Sequence, residues 1–155
     1  MEFKRKDRVE IASKEPGFEG SYYEATVVAE FRSQRHYIIE YHNLVNDDYS
    51  GMLREVATAA EVRPMPPEIP VTGFKLYDLV DAFDNDGWWV GRITGRTCNE
   101  YSVYFEISSK DTFVYDLKKL RLHQEWVDGK WVLPHNRMKT AYYNSSRTYD
   151  PYYYI

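Results

Sequence analysis

Two adjacent aromatic residues follow a turn glycine twice in this chain, in Gly20-Ser21-Tyr22-Tyr23 and in Gly87-Trp88-Trp89. Further rings recur around each pair: Phe18 and Tyr41 in the first half, Phe83 and Phe105 in the second. Carboxylates accompany both sets, with Asp47 and Asp48 on one side and Asp84 and Asp86 on the other. Ring faces beside carboxylates can do one kind of chemistry, which is to hold a desolvated alkylammonium. Each cation–π contact contributes roughly 0.5–2 kcal/mol, and methylation lowers the cost of stripping water from the cation. A second role is open to the same rings, that of plugging the ends of a small core.

Other chemistries find no support in residue spacing. The histidines (His36, His42, His123 and His135) are scattered, with no metal-ligand spacing. Cys98 is the only cysteine, which leaves no internal disulfide or thiolate zinc cage, and it lies in the polar turn GRTCNE without an evident base. No glycine-rich phosphate loop runs from a strand into a helix. The reading is a non-enzymatic chain that needs no cofactor.

The elements that must position the rings are strands. RVEIA, YYEATVVAEF, RHYIIEYH and LREVA are short, β-branched and aromatic, separated by EPGFEGS and HNLVNDDYSG. The stretch RPMPPEIPVTG holds four of the seven prolines and reads as a linker. Afterwards the pattern resumes in KLYDLVDAF, GWWVGRITG, EYSVYFEI and DTFVYDLKKLRL. Val9-Glu10 answers to Val80-Asp81, Tyr23 to Trp89, and Tyr37-Ile38-Ile39-Glu40-Tyr41 to Tyr101-Ser102-Val103-Tyr104-Phe105. This is an internal repeat. Units of this kind close into small β-barrels, because closure removes exposed strand edges. The reading is all-β, with units at residues 5–66 and 74–133, a linker at 67–73 and a tail at 134–155. Asp128-Gly129 between Trp126-Val127 and Lys130-Trp131 signals a hairpin closing the second unit. The tail has no period and is expected to be flexible or docked in extended form.

Strand alternation assigns faces. Tyr23, Ala25 and Val27 share one face, as do Trp89, Gly91 and Ile93; the small and aliphatic members mark these faces as inward. Tyr41 and Phe105 fall inward at the far ends of their strands, and Phe83 ends another. This groups Phe83, Trp89 and Phe105 at the mouth of the second barrel, and Tyr23 and Tyr41, with Phe18 from a loop, at the first. Tyr22 and Trp88 face the other way, to pack between barrels or to flank a peptide.

Composition bounds the partner. Aromatics make up 17% of the chain, with 15 Tyr, which leans toward recognition surfaces. A net charge of −4 offers no global basic field for nucleic acid and favours a basic peptide. Single-strand binding through aromatic platforms is the alternative, with dispersed cations such as Arg32, Arg35, Arg92 and Arg96. A scaffold whose rings serve only packing is a third reading. No apolar run reaches membrane-spanning length, the first residues lack the apolar core of a signal peptide, and a lone cysteine suits a reducing compartment.

DRVEIASKEPGFEGSYYEATVV in the first unit resembles plant Agenet domains, of the Tudor-like Royal group of small β-barrels. LYDLVDAFDNDGWWVGRITG, YSVYFE and LRLHQEWVDGKWV in the second unit are similar to the same family, over roughly residues 5–133 in all. The resemblance implies a nuclear tandem reader of the histone-three N-terminal tail, with a methylated lysine, notably dimethyl-lysine of heterochromatin, in an aromatic cage. It carries the cage onto Tyr23 and Tyr41 in the first unit and Phe83, Trp89 and Phe105 in the second. The first unit lacks an aromatic at Ala12 or Ser13, where Phe18 would substitute. Asp47, Asp48, Asp84 and Asp86 would contact basic peptide groups.

Overall fold

A computed structural model of the chain describes residues 2–13, 15–134 and 152–154. The described residues form β-strands joined by turns and short 3-10 segments, with no α-helix among them. Two compact units result: Met1–Met65 with Asp84–Trp89, and Pro66–Phe83 with Val90–Ile155. Each is a small SH3-like, Tudor-like β-barrel.

In the first unit, β1 (Arg8–Ala12), β2 (Ser21–Phe31), β3 (His36–Val45), β4 (Met52–Thr58) and β5 (Val62–Pro64) pair in the order β5-β1-β2-β3-β4. All these pairs are antiparallel. β2, eleven residues long, pairs with both β1 and β3, and a bulge between Val27 and Ala29 bends it. A 3-10 turn at Ala59–Glu61 carries β4 into β5, closed by a capping box in which Glu61 accepts from the Thr58 N–H and hydroxyl. The inward set of β3, Tyr37, Ile39 and Tyr41, is buried throughout, together with Val9, Ile11, Tyr23, Ala25 and Val27.

The second unit repeats the plan with β6 (Leu79–Asp84), β7 (Gly87–Arg96), β8 (Glu100–Tyr104), β9 (Thr112–Asp116) and β10 (Leu120–Leu122), in the order β10-β6-β7-β8-β9. Its core holds Val80, Ala82, Ile93, Tyr101, Val103, Phe105 and Leu120. The turn from β6 into β7 is tight, with Asn85 at φ 47° and Asp86 at φ 65°, whereas residues 13–20 separate β1 from β2. The tip of this hairpin is shared unequally. Trp88 and Trp89 pair with Tyr22 and Ser21 of β2, so residues 84–89 pack with the first unit.

The repeat reaches individual hydrogen bonds. β7 carries its own bulge between Ile93 and Gly95, the counterpart of the one in β2. Each barrel opens with a Phe-Lys turn in which an aspartate accepts from the lysine N–H: Asp7 from Lys4 at 2.8 Å, and Asp78 from Lys75 at 2.9 Å. The Tyr37 hydroxyl accepts from the Phe3 N–H, and the Tyr101 hydroxyl from the Phe74 N–H, both at 3.2 Å. Each barrel also ties its first strand to its last through a guanidinium–carboxylate pair. Arg63 donates to Glu10 at 2.7 and 3.1 Å, and Arg121 to Asp81 at 2.9 Å. Buried charge of this kind is tolerated only when paired.

After β10, His123 is fully buried, with Nδ1 2.6 Å from Asp81 and Nε2 2.7 Å from Glu125. Two further strands, β11 (Glu125–Val127) and β12 (Lys130–Pro134), form a hairpin through Asp128 (φ 49°) and Gly129 (φ 76°). Positive φ at both turn residues matches the right-handed strand twist. Trp126 and Trp131 are register partners with ring centroids 5.1 Å apart. Within the tail, the backbone of β13 (Tyr152–Tyr154) pairs with β12; residues 135–151 and 155 lie outside the described residues.

Candidate functional site

Four rings come together in the first unit: Phe18, Tyr23, Tyr41 and Trp89. β2 and β3 supply the floor, since Tyr23 and Tyr41 are neighbours across the ladder next to the Ala25–Tyr41 register pair. Their rings meet edge to face with centroids 6.2 Å apart, and both side chains are buried. Trp89 stands at 81° to Tyr23, 6.3 Å away, and Phe18 at 65°, 6.2 Å away. Phe18 and Trp89 stack on each other at 6.5 Å and 27°. Phe18 is 41% exposed and Trp89 partly exposed, so these two form the outer rim over a Tyr floor.

Polar atoms hold the rings at their edges and leave the faces apolar. The Tyr23 hydroxyl donates to the Asn85 carbonyl at 3.0 Å, and the Trp89 indole N–H to the Asp84 carbonyl at 2.8 Å. The Tyr41 hydroxyl donates to Glu55 Oε2 at 2.9 Å. Phe18 is placed by a turn in which its N–H donates to the Glu15 carbonyl and its carbonyl accepts from the Ser21 N–H.

Negative potential surrounds this cluster. Burial, then the Glu55 hydrogen bond and the charges of Glu55, Glu61 and Glu15, push the Tyr41 hydroxyl well above its ordinary pKa. Burial and the charge of Asp86 push Tyr23 upward as well. Four carboxylates therefore act on two phenols, a field that favours a bound cation.

The structure groups the expected residues differently from strand alternation. Trp89 meets Phe18 and Tyr23 in the first unit, whereas strand alternation groups it with Phe83 and Phe105. The cause is the pairing of β7's first residues with β2. Phe105 is buried under Phe113 and Tyr115, at centroid distances of 6.1 and 6.0 Å, and Gly91 leaves room for its edge. Phe83 is partly exposed and carries the Lys119 ammonium 5.5 Å from its ring centre. Tyr22 is buried beneath the Arg63 guanidinium at 3.4 Å, so it is unavailable to flank a peptide. The Trp88 indole N–H points to Glu24, at 3.5 Å.

Asp84 and Asp86 are exposed at the β6–β7 turn, and Asp47 and Asp48 at the β3–β4 turn. Hydrogen bonds from the Ser50 hydroxyl and N–H hold the Asp48 carboxyl below its usual range. Sequence reasoning missed Glu15, Glu55 and Glu61. Glu55 alternates with Leu53 and Ala57 on one face of β4, which was a usable signal; Glu61 comes to Tyr41 only through the 3-10 turn.

Residues 6–67 match the Agenet domain family. The crystal structure of Arabidopsis thaliana AGDP1 AGD34 superimposes with a TM-score of 0.79 at 35% identity, covering 85% of this chain and 90% of that one. The chain belongs to the Agenet domain family. The ADCP1 tandem Agenet domain 3-4 aligns with a TM-score of 0.75 at 32% identity, over 85% of this chain and 88% of that one. These alignments extend the Agenet assignment from the first barrel to the tandem. Among curated relatives, Arabidopsis thaliana "AGENET DOMAIN (AGD)-CONTAINING P1" is 38% identical over 126 residues, and "DUF724 domain-containing protein 3" is 33% identical over 132. This Agenet chain spans 24% of the length of the first and 19% of the second.

Proposed function

We propose that this Agenet tandem is a non-enzymatic histone-tail reader whose first barrel holds a methylated lysine. The observation that carries the reading is the Phe18–Tyr23–Tyr41–Trp89 cluster with Glu15, Glu55, Glu61 and Asp86 acting on its floor. A methylammonium is large, weakly hydrated and positive, so it gains from ring faces and from the surrounding field without needing a direct ion pair. The partner is the histone-three N-terminal tail carrying dimethyl-lysine, the heterochromatic mark, and the place of action is the nucleus, where the reader links histone methylation to silencing. Asp84 and Asp86 at the rim would meet basic groups flanking the lysine.

Nucleic-acid binding has less support. Lys4, Arg5 and Lys6 form a small basic turn, yet Asp7 stands within it and Arg32 is paired with Glu30 at 3.3 Å. Among the described residues no helix is long and apolar enough to cross a membrane.

Calorimetric titration with histone-three tail peptides, unmodified and mono-, di- and trimethylated, tests the reading. Micromolar binding corresponds to about −8 kcal/mol. Binding should rise with methylation and be lost in Trp89→Ala. Equal heats for every peptide would reject the cage, and salt-sensitive oligonucleotide binding with no peptide heat would favour the nucleic-acid reading.

A further inference from the structure

The two barrels differ at matching positions around their aromatic mouths. On the first, Tyr37 pairs with Ala57 and Ile39 with Glu55. On the second, Tyr101 pairs with Tyr115 and Val103 with Phe113. The registers therefore make Phe113 the counterpart of Glu55, and Tyr115 that of Ala57. The 3-10 turns that follow are also equivalent, Ala59–Glu61 in one and Leu117–Lys119 in the other, so Lys119 is the counterpart of Glu61. Where the first barrel sets the carboxylates of Glu55 and Glu61 about Tyr41, the second sets Phe113 beside Phe105 and Lys119 at Phe83.

Lys119 is directed at a ring. Its ammonium lies 5.5 Å from the centre of Phe83, within cation–π range, while its backbone is fixed in the 3-10 turn capped by Asp116. Phe83 in turn occupies the place of Ala12 in the first barrel, where no ring exists. The second barrel thus has a ring at a position where the first has none, and supplies its own cation to that ring.

We infer that Lys119 is the resident cation of the second barrel's aromatic mouth and the residue that denies this mouth an external methylammonium. The ammonium offers the ring what a ligand would offer, and it repels a second positive charge at close range. Together Lys119 and Phe113 determine specificity between the barrels, leaving the methylammonium to the first. This rests on the cage reading for the first barrel, but it concerns the second and is read out separately there.

The test is amide-resolved NMR titration of the whole chain with a trimethyl-lysine peptide, following signals of Phe105, Phe113 and Lys119 for the second barrel and of Tyr23 and Tyr41 for the first. In the natural chain the second-barrel amides should stay silent at ligand concentrations that saturate the first. Lys119→Glu should raise second-barrel affinity by about tenfold or more, since it removes one charge and installs its opposite. Lys119→Arg keeps the cation and should stay silent. Second-barrel shifts in the natural chain, or silence in a folded Lys119→Glu, would overturn the inference. Silence of the first barrel alone would count against the cage reading and leave the assignment of Lys119 standing on the second-barrel signals.

Discussion

The Tyr23 ring lies against Gly87 so closely that a Cβ at that glycine would stand 2.7 Å from Cζ and 2.8 and 2.9 Å from the two Cε atoms. Gly87 has no positive φ, so its small size and not its backbone freedom is what the position uses. Gly87→Ala must displace the ring or the turn. Overpacking of this kind costs about 1–3 kcal/mol. A fall in Tm together with weaker binding of the methylated peptide is expected, and an unchanged Tm would show that Tyr23 is free to shift.

Floor and rim should separate under mutation. Tyr23 is buried, and its removal should cost about 3–5 kcal/mol of stability, as for other large aromatic truncations. Phe18 is 41% exposed, so Phe18→Ala should leave the fold within about 1 kcal/mol while removing one cation–π face. Parallel denaturation and calorimetry on Phe18→Ala would check this. Loss of stability without loss of methyl preference would assign Phe18 to packing.

The buried Arg63–Glu10 pair and the exposed Arg54–Glu40 pair have the same shortest distance, 2.7 Å, but differ in solvation. Arg63→Ala leaves Glu10 buried without its cation and should destabilise by about 3–5 kcal/mol. Arg54→Ala should cost less than about 1 kcal/mol. Urea denaturation of the two variants measures the contrast, and equal losses would contradict the assigned burial.

His123 should give a pH signature. Burial opposes its charging, but Asp81 and Glu125 outweigh burial and raise its pKa to about 9. The folded value lies above the unfolded one, so the charged histidine stabilises fully below about pH 6.5. That contribution, on the order of 3 kcal/mol, is lost as pH climbs through about 9. Stability measured from pH 6 to 9.5 should fall in the natural chain and flatten in His123→Gln. A flat profile in the natural chain would mean that folding leaves the imidazole pKa unshifted, and a rise between about pH 6 and 7.5 that the imidazole is neutral in the fold.

Period-2 alternation and the repeat were legible because each rests on local information. Side chains of a strand must point alternately to its two faces, so Tyr23, Ala25 and Val27, or Tyr37, Ile39 and Tyr41, identified an inward face before any partner strand was known. The Asp128-Gly129 turn was likewise a local choice, made by two residues that tolerate positive φ. His123 gave no such signal, since its two carboxylate partners stand on different strands, β6 and β11.

The sequence alone determined that the chain is a pair of small β-barrels rich in inward-facing rings. Tertiary structure decided which rings meet. Trp89 shares a strand with the second barrel's residues but joins Phe18 and Tyr23, because its end of β7 pairs with β2. Glu61 and Lys119 take opposite charges to equivalent mouths because the 3-10 turns and strand registers carry them there. Alternation is set by neighbouring peptide units, whereas the company a side chain keeps is set by pairing between strands far apart in the chain.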